Sequence, residues 1–112
     1  MDIKTELTDG VAVLFIKEDR LDANNSEELK VELHRLFGSG SKDLIIDLKE
    51  IHFIDSSGLG ALVSGYKNAS VLHGSLKLSN LQSQVKSMFE LTRLHRVFDI
   101  FMTVDEALQS YR

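Results

Sequence analysis

Apolar and polar residues follow one another in blocks along the chain, and the blocks predict strands separated by helices. Ile3 to Leu7 is predicted to be a half-polar strand. Asp9-Gly10 follows it, and this pair predicts a tight hairpin because it tolerates positive φ. Val11 to Ile16 is apolar on both faces, as expected of a central strand. The remaining predicted strands are Leu44 to Leu48, Ser75 to Ser79 and, as a last strand or extended segment, Val97 to Phe101.

Two longer helices are predicted between these strands. The first is expected to open with a capping box formed by Asn25 and Glu28, and Gly38-Ser39-Gly40 should end it. The second is expected to run from about Ser57 to Leu72, with Gly74 in the left-handed position that follows a helix. The apolar stripe of the first helix consists of Leu29, Leu33, Leu36 and Phe37.

Two shorter helices are predicted in the second half of the chain. Ser79 or Asn80 is expected to cap the third helix. Thr103 and Glu106 match a capping box for the fourth helix. The apolar positions are Val85, Met88 and Phe89 in the third helix, and Val104, Ala107, Leu108 and Tyr111 in the fourth.

The order of these elements predicts the fold class. One hairpin followed by strand–helix units is typical of an α/β domain with a mixed, mostly parallel sheet. We expect four to five strands and about four helices, with residues 1–112 forming a single domain. Functional sites of such sheets usually lie in loops at the carboxyl ends of the strands. Two loops qualify, Glu18 to Asn25 and His52 to Gly58, and Phe53 and Ile54 are expected to return the second one to the core.

Composition narrows the possible functions. The net charge of −4 argues against a nucleic-acid groove, and the chain has no cysteine for a disulfide or a thiolate metal site. Its four histidines lack metal-ligand spacing, and neither a phosphate-binding loop nor a hydrolase nucleophile elbow is present. No stretch is apolar enough to cross a bilayer. We therefore expect a soluble, cytoplasmic binding module, a monomer or weak dimer, with no cofactor and no membrane insertion.

The most informative segment is Ile54-Asp55-Ser56-Ser57-Gly58-Leu59-Gly60, where a buried strand leads into a helix. It places a modifiable serine at a helix N-terminus, on a backbone that a partner can approach closely. A serine in this position is most often only an N-cap, and Asp55 could equally be the cap. Asp22, in the neighbouring loop, is either a turn former or part of the same site.

The helix after this segment is apolar on more than one side. Its small residues are suited to close packing on the sheet: Gly58, Ala61, Gly65 and Ala69. Leu59, Leu62, Val63 and Tyr66 make another side apolar. Either this stripe is an exposed docking surface or another helix covers it, and the sequence leaves both possibilities open.

Asp47-Leu48 together with Phe53 through Gly60 resembles the signature of STAS domains, in particular bacterial anti-sigma-factor antagonists. The resemblance extends over nearly the whole chain and includes the opening hairpin, the Leu21-Asp22 loop and the segment Val85 to Val97. It implies a binding module whose unphosphorylated form binds an anti-sigma factor and frees the sigma factor. It also implies that this anti-sigma factor is a serine kinase that phosphorylates Ser56, the residue after the motif aspartate, and that a serine phosphatase reverses the modification.

On this basis the chain is expected to be a substrate and not an enzyme. We expect the partner surface to combine the Asp22 loop, the motif and one side of the second helix, with the residues Asp22, Asp55, Ser57, Gly58, Leu59, Gly60, Val63 and Tyr66. Ser57 is expected to act mainly as a structural cap.

One position departs from the family pattern. Members usually carry a glycine three residues before the loop aspartate, and this chain has Asp19 there. The resemblance therefore leaves the conformation of this loop open. Two other functions remain as alternatives: a STAS subunit of a transporter or stress-signalling complex, and a small hydrolase that uses Ser56 or Ser57.

Overall fold

The computed structural model describes residues 1–112. The strands are β1 (Ile3–Thr8), β2 (Val11–Ile16), β3 (Arg20–Leu21), β4 (Asp43–Asp47), β5 (Phe53–Ile54), β6 (Ser75–Ser79) and β7 (Ile100–Phe101). The helices are α1 (Ser26–Gly38), α2 (Ser56–Val71), α3 (Ser83–Leu91) and α4 (Val104–Gln109), and a short 3₁₀ helix, Leu94–Arg96, precedes β7.

Five strands form one sheet in the order β1-β2-β4-β6-β7, and β3 and β5 form a separate two-stranded sheet. β1 is antiparallel to β2, and every other neighbouring pair is parallel. The predicted α/β class, with a mixed, mostly parallel sheet and about four helices, is confirmed. The last strand is shorter than predicted, because the chain forms the 3₁₀ helix before it pairs at Ile100.

The hairpin between β1 and β2 forms where it was predicted. Asp9 and Gly10 have φ values of 52° and 81°, and Thr8 pairs directly with Val11. Positive φ at both central residues gives the turn a twist that matches the twist of the strands. The hairpin thereby sets the register that buries β2.

Helices cover both faces of the five-stranded sheet. α1, α2 and α3 pack on one face, where 21 buried residues form the main core. α4 packs on the other face, where Ala107 contacts a smaller cluster of Val11, Val13 and Ile45. β2 is apolar throughout because it is buried on both faces, which is why the sequence predicted Val11 to Ile16 as a central strand, and β4 is apolar between its terminal residues Asp43 and Asp47.

The start of α1 differs from the prediction. Asn25 is the N-cap residue, but its side chain makes no capping hydrogen bond, so the predicted capping box with Glu28 is wrong. Asn25 Oδ1 instead accepts a hydrogen bond from the N–H of Asp22, and its Nδ2 donates to the carbonyl oxygen of Arg20. The helix ends at Gly38, as predicted.

The end of α2 also differs in detail. His73, not Gly74, adopts the left-handed conformation, with φ of 62°. Gly74 serves a different purpose, because a Cβ at this position would overlap the backbone of Lys42. The glycine therefore permits close contact between the α2–β6 connection and the segment before β4.

The predicted cap of α3 is wrong, and that of α4 is partly right. Ser79 and Asn80 both donate hydrogen bonds to the carboxylate of Asp47, while Gln82 precedes α3 without a capping bond. Thr103 caps α4 by accepting from the N–H of Glu106 at 3.1 Å. The Glu106 carboxylate accepts from the N–H of Met102 and not from that of the N-cap residue.

None of the helices combines the length and the apolar character that crossing a membrane requires.

Candidate functional site

The small sheet of β3 and β5 joins the two loops that the sequence singled out. Arg20 pairs with Phe53, and Leu21 pairs with Ile54. Leu21 and Ile54 point into the core and are buried. The loop from Glu18 to Asn25 is therefore fixed beside the segment that leads into α2.

Asp19 begins this connection. Its carbonyl oxygen accepts hydrogen bonds from the N–H groups of His52 at 2.7 Å and Phe53 at 3.3 Å, and its carboxylate lies 2.8 Å from His52 Nδ1. The φ of Asp19 is not in the left-handed region. An aspartate is therefore compatible with this loop conformation, and its side chain adds a contact that a glycine could not make.

Asp22 organises the loop from within. The residue is only 7% exposed. Its Oδ1 accepts from the N–H of Asn24 at 3.0 Å, and its Oδ2 accepts from Arg20 Nε at 3.1 Å. Its carbonyl oxygen also accepts from the N–H of Ser26 at the start of α1. These bonds leave Ala23 and Asn24 as the exposed tip of the loop.

Asp55 is the N-cap of α2. Its Oδ1 accepts a hydrogen bond from the N–H of Gly58 at 2.9 Å, and its Oδ2 accepts from the N–H of Ala23 at 3.1 Å. Its own N–H donates to the carbonyl oxygen of Leu21. One carboxylate thus caps the helix and holds the tip of the neighbouring loop. The alternative that Asp55 is the cap is therefore confirmed, and the expectation that Ser57 acts mainly as a structural cap is wrong.

Ser56 and Ser57 occupy the first two positions of α2. Ser56 is exposed and Ser57 is half-buried, and neither hydroxyl makes a hydrogen bond within the chain. As at any helix start, their backbone N–H groups have no hydrogen-bond acceptor within the helix. The helix N-terminus carries partial positive charge, which favours a negative group at this end. The site therefore presents an unbonded hydroxyl where a phosphate is favoured.

The two glycines of the motif have different surroundings. A Cβ on Gly58 would overlap the carbonyl oxygen of Leu21 and approach Ile54 Cγ1 to 2.8 Å. A Cβ on Gly60 would meet nothing within 4 Å, and Gly60 is exposed. Gly58 therefore allows α2 to pack against the Asp22 loop, whereas Gly60 leaves an open patch one turn after Ser56.

The second apolar side of α2 is largely covered. Leu59 is buried in the core, so the expectation that it contributes an exposed docking anchor is wrong. Tyr66 packs edge-on against Phe98, with ring centroids 5.2 Å apart. Val63 is half-buried and packs against the same core. Coverage by other elements, the second alternative from the sequence, accounts for most of the stripe.

An exposed cation–π contact near the site, between Arg20 and Phe53, was not predicted. Phe53 is 42% exposed, so the expectation that it returns to the core is wrong, while Ile54 is buried as expected. The guanidinium carbon of Arg20 lies 4.1 Å from the centre of the Phe53 ring. Arg20 and Phe53 stand opposite each other in neighbouring strands, so the pairing of β3 with β5 was the missing information.

No group of three or more histidine, aspartate or glutamate side chains is arranged to hold a metal ion. What the site offers is an exposed hydroxyl, an open patch at Gly60 and two loops joined by hydrogen bonds. Fold and site together define an α/β domain with an exposed serine hydroxyl at a helix start.

Comparison with known proteins identifies the family. The profile of the STAS domain family matches residues 2–107. The chain is 36% identical over 80 residues to the anti-sigma-B factor antagonist of Bacillus subtilis (strain 168), covering 71% of this chain and 72% of that protein. The chain belongs to the STAS domain family, and the prediction made from the Asp55–Gly60 motif is confirmed.

Two solved structures show the same fold. An anti-sigma-factor antagonist (STAS) domain protein from Planctomyces limnophilus superposes with a TM-score of 0.89 at 22% identity, covering 98% of this chain and 97% of that chain. The Bacillus cell fate determinant SpoIIAA in its phosphorylated form superposes with a TM-score of 0.77 at 20% identity, covering 99% of this chain and all of the other. The loop–helix arrangement around Ser56 thus lies within a fold that both structures share.

Proposed function

We propose that this protein is a bacterial anti-sigma factor antagonist whose activity is switched by phosphorylation of Ser56. Unphosphorylated, it binds an anti-sigma factor that is also a serine kinase, and the sigma factor is released. Phosphorylation of Ser56 ends this binding, and a serine phosphatase restores it. The chain is then a cytoplasmic substrate of these enzymes and not itself a catalyst.

The observation that carries the proposal is the exposed, unbonded hydroxyl of Ser56 directly after the N-cap Asp55. A kinase requires a hydroxyl that it can reach and orient. Asp55 fixes the backbone before Ser56 through its bonds to Ala23 and Gly58. The similarity to the anti-sigma-B factor antagonist of Bacillus subtilis supports the same role, and the structure of SpoIIAA in its phosphorylated form supports a phosphorylated state in this fold.

The electrostatics favour a switch that acts at the interface and leaves the fold intact. A phosphoserine adds roughly −1.5 to −2 charges at neutral pH. At the first position of α2 this charge is stabilised by the helix N-terminus. The same charge disfavours binding to a partner surface that is acidic or apolar, because the phosphate would lose its water there without gaining an opposite charge. Phosphorylation should therefore weaken partner binding without unfolding the domain.

The proposed docking surface follows the exposed groups around Ser56. It consists of the loop tip Ala23–Asn24, Ser56, Ser57, Gly60 and the half-exposed side of Val63. Gly60 lets a partner backbone approach because no side chain covers it. Asp22, Asp55 and Gly58 act on this surface indirectly, since they hold the loop tip and the helix start in place.

The kinase assay should distinguish Ser56 from Ser57. The wild-type protein, Ser56→Ala and Ser57→Ala would each be incubated with ATP and the anti-sigma factor kinases of the source bacterium, and the products mapped by mass spectrometry. We expect one phosphate on the wild type and on Ser57→Ala, and none on Ser56→Ala. Phosphate on Ser57, or retained in Ser56→Ala, would contradict the assignment.

Binding should depend on the state of Ser56. Calorimetric titration of each anti-sigma factor with the unphosphorylated and the phosphorylated protein would measure both affinities. We expect the unphosphorylated form to bind one of them and to displace its sigma factor, and the phosphorylated form to bind at least tenfold more weakly, about 1.4 kcal/mol. If no anti-sigma factor binds either form, the antagonist function is wrong.

A further inference from the structure

A cavity of about 600 Å³ lies at the carboxyl ends of three neighbouring strands, and Ser56 is not among its lining residues. Lys49 comes shortly after β4, Asn80 follows β6 and Met102 follows β7, and all three line the cavity. This volume falls within the range of about 300–1,000 Å³ typical of small-molecule sites. The position agrees with the tendency of open α/β sheets to bind ligands at the carboxyl ends of their strands.

One part of the cavity wall is apolar and aromatic. Phe89 and Phe98 are almost fully buried, and their rings meet edge to face with centroids 5.7 Å apart. The other apolar lining residues are Leu81, Ile100, Phe101 and Met102, of which Met102 is largely exposed. The accessible part of this wall favours an aliphatic or aromatic group, because binding would remove apolar area of both the ligand and the partly exposed lining residues from water, while Phe89 and Phe98 support the wall from behind.

The polar part of the wall carries more positive than negative charge. Two lysines, Lys49 and Lys86, line it against one carboxylate, Glu90, and the other polar lining residues are Asn80, Gln82 and His95. This arrangement contrasts with the chain as a whole, whose net charge is −4. Residues 83–96 carry three lysine or arginine residues and one acidic residue. A concave basic wall next to apolar surface attracts an anion, since low-dielectric walls strengthen the local potential.

Hydrogen bonds within the wall hold the cavity in shape. Gln82 Nε2 donates to the carbonyl oxygen of Lys49 at 2.6 Å, which fixes the backbone that carries the Lys49 side chain. Asn80 Nδ2 donates to Asp47 Oδ1 at 2.6 Å and joins the ends of β4 and β6. His95 Nδ1 lies 3.3 Å from the carbonyl oxygen of Phe89. A cavity that is already formed costs less ordering when a ligand binds.

We propose that this cavity binds a small organic anion, with a carboxylate or phosphate group beside Lys49 and Lys86 and an apolar body against Leu81, Ile100 and Phe101. Lysine is a point-charge donor suited to either anionic group. The lining includes no residue of the Asp22 loop and none of Asp55–Gly60. The proposal therefore stands or fails independently of the switch at Ser56.

The test uses ligands that separate charge from apolar surface. The full chain, labelled with ¹⁵N, would be titrated with octanoate, octyl phosphate, octanol, octylamine and inorganic phosphate, and amide shifts followed by NMR. We expect saturable binding of octanoate, octyl phosphate or both, with shifts concentrated at the lining residues. Comparison of these two anions identifies the preferred acidic group. Octanol, octylamine and inorganic phosphate should each bind at least about fivefold more weakly, because each lacks one of the two interactions.

Charge-removing variants check the site itself. Lys49→Gln and Lys86→Gln should each weaken the binding of whichever anion binds better by about three- to tenfold. This is the effect expected for loss of one partly exposed charged contact. Lys67 is also an exposed lysine, on α2 outside the cavity, so Lys67→Gln is the matched control and should leave the affinity unchanged. All three positions are exposed, so the variants should fold, which their NMR spectra would verify.

Three results would overturn the proposal. The first is the absence of saturable binding by either anion. The second is equal binding of octanol and the anions, which would indicate an apolar cleft without charge recognition. The third is an equal loss of affinity in Lys67→Gln and the two cavity variants, which would indicate a general effect of surface charge.

Discussion

The side chain of Asp55 accepts a hydrogen bond at 3.1 Å from the backbone N–H of Ala23, 32 positions earlier in the chain. The other oxygen of the same carboxylate caps α2 through Gly58. One residue therefore determines both the start of the helix that carries Ser56 and the position of the neighbouring loop tip. This contact acts together with the pairing of β3 with β5 to hold the two loops side by side as one surface.

Two substitutions of Asp55 should separate its two contacts. Asp55→Ala removes the cap and the bond to Ala23, and we expect the free energy of unfolding to fall by about 1–2 kcal/mol. Asp55→Asn keeps one side-chain oxygen, which can still cap the N–H of Gly58, but replaces the oxygen that accepts from Ala23 with an amide nitrogen. We therefore expect the free energy of unfolding to fall by about 0.5–1 kcal/mol. Urea denaturation of both variants measures this order. An equal loss in both would mean that the helix cap contributes nothing beyond the bond to Ala23.

The motif glycines should respond in opposite directions to alanine. Gly58→Ala places a Cβ against the backbone of Leu21, and we expect a loss of about 1–3 kcal/mol in the free energy of unfolding. Gly60→Ala meets no atom, and we expect a gain of about 0.5–1 kcal/mol from the better helix propensity of alanine.

Each glycine variant is the control for the other, since both insert the same methyl group into the same helix. Thermal and urea melts of the pair give the comparison. Similar losses in both variants would contradict the inference that only Gly58 is packed closely. In binding assays Gly60→Ala is the informative variant, because it changes the proposed docking surface without a cost in stability.

The sequence predicted those features that depend on neighbouring residues. Asp9-Gly10 specifies its hairpin through local backbone preferences, and the motif from Asp55 onward predicted the helix start within one residue. The two central strands were recognisable because a strand buried on both faces has an uninterrupted apolar run, from Val11 to Ile16 in β2 and from Leu44 to Ile46 in β4. The family motif predicted the fold class by resemblance, and that prediction needed no contact information.

The pairing of β3 with β5 could not be predicted in this way. Each strand has two residues, too few to display a period, and the pairing joins segments more than 30 positions apart. The exposed Arg20–Phe53 contact and the bond from Ala23 to Asp55 follow from that pairing. These features define the site, and they arise from contacts between segments that are distant in the sequence.

The same reason explains the wrong cap and the wrong docking anchor. Asn25 has the residue type of an N-cap, but backbone groups of Arg20 and Asp22 bind its side chain instead. Leu59 lies on an apolar side of α2 that the sequence could not assign as covered or exposed, and the fold buries it. Both outcomes depend on which segments the fold brings together.

Tyr111 should make the protein less stable at high pH. Burial raises the pKa of the Tyr111 hydroxyl to about 12, and the negative charges of Asp43 and Asp99 act in the same direction. In the unfolded chain a tyrosine titrates near pH 10. Between these two values the folded protein keeps a proton that the unfolded chain has lost, so the free energy of unfolding falls as the pH rises.

Because the chain has only two tyrosines, removing one of them allows the titration of the other to be measured alone. In Tyr66→Phe, phenolate absorbance reports Tyr111 alone, and we expect the midpoint of its titration at a pH well above 10. In Tyr111→Phe, the alkaline loss of stability between about pH 10 and 12 should be smaller than in the wild type. A Tyr111 midpoint near 10 in the folded protein would contradict the prediction.

Ser56→Asp should weaken partner binding while leaving the domain folded. A carboxylate at the first position of α2 is favoured by the helix N-terminus by about 0.3–1 kcal/mol, so we expect an unchanged or slightly higher melting temperature. Ser57→Asp is the matched control, because it adds the same charge one position later, at a half-buried residue. If the hydroxyl of Ser56 is the group that faces the partner, Ser56→Asp should reduce affinity for the anti-sigma factor at least as much as Ser57→Asp. Thermal melts and binding titrations on both variants separate stability from recognition. A large drop in melting temperature for Ser56→Asp would mean that a charge at this position acts by unfolding the domain and not at the interface.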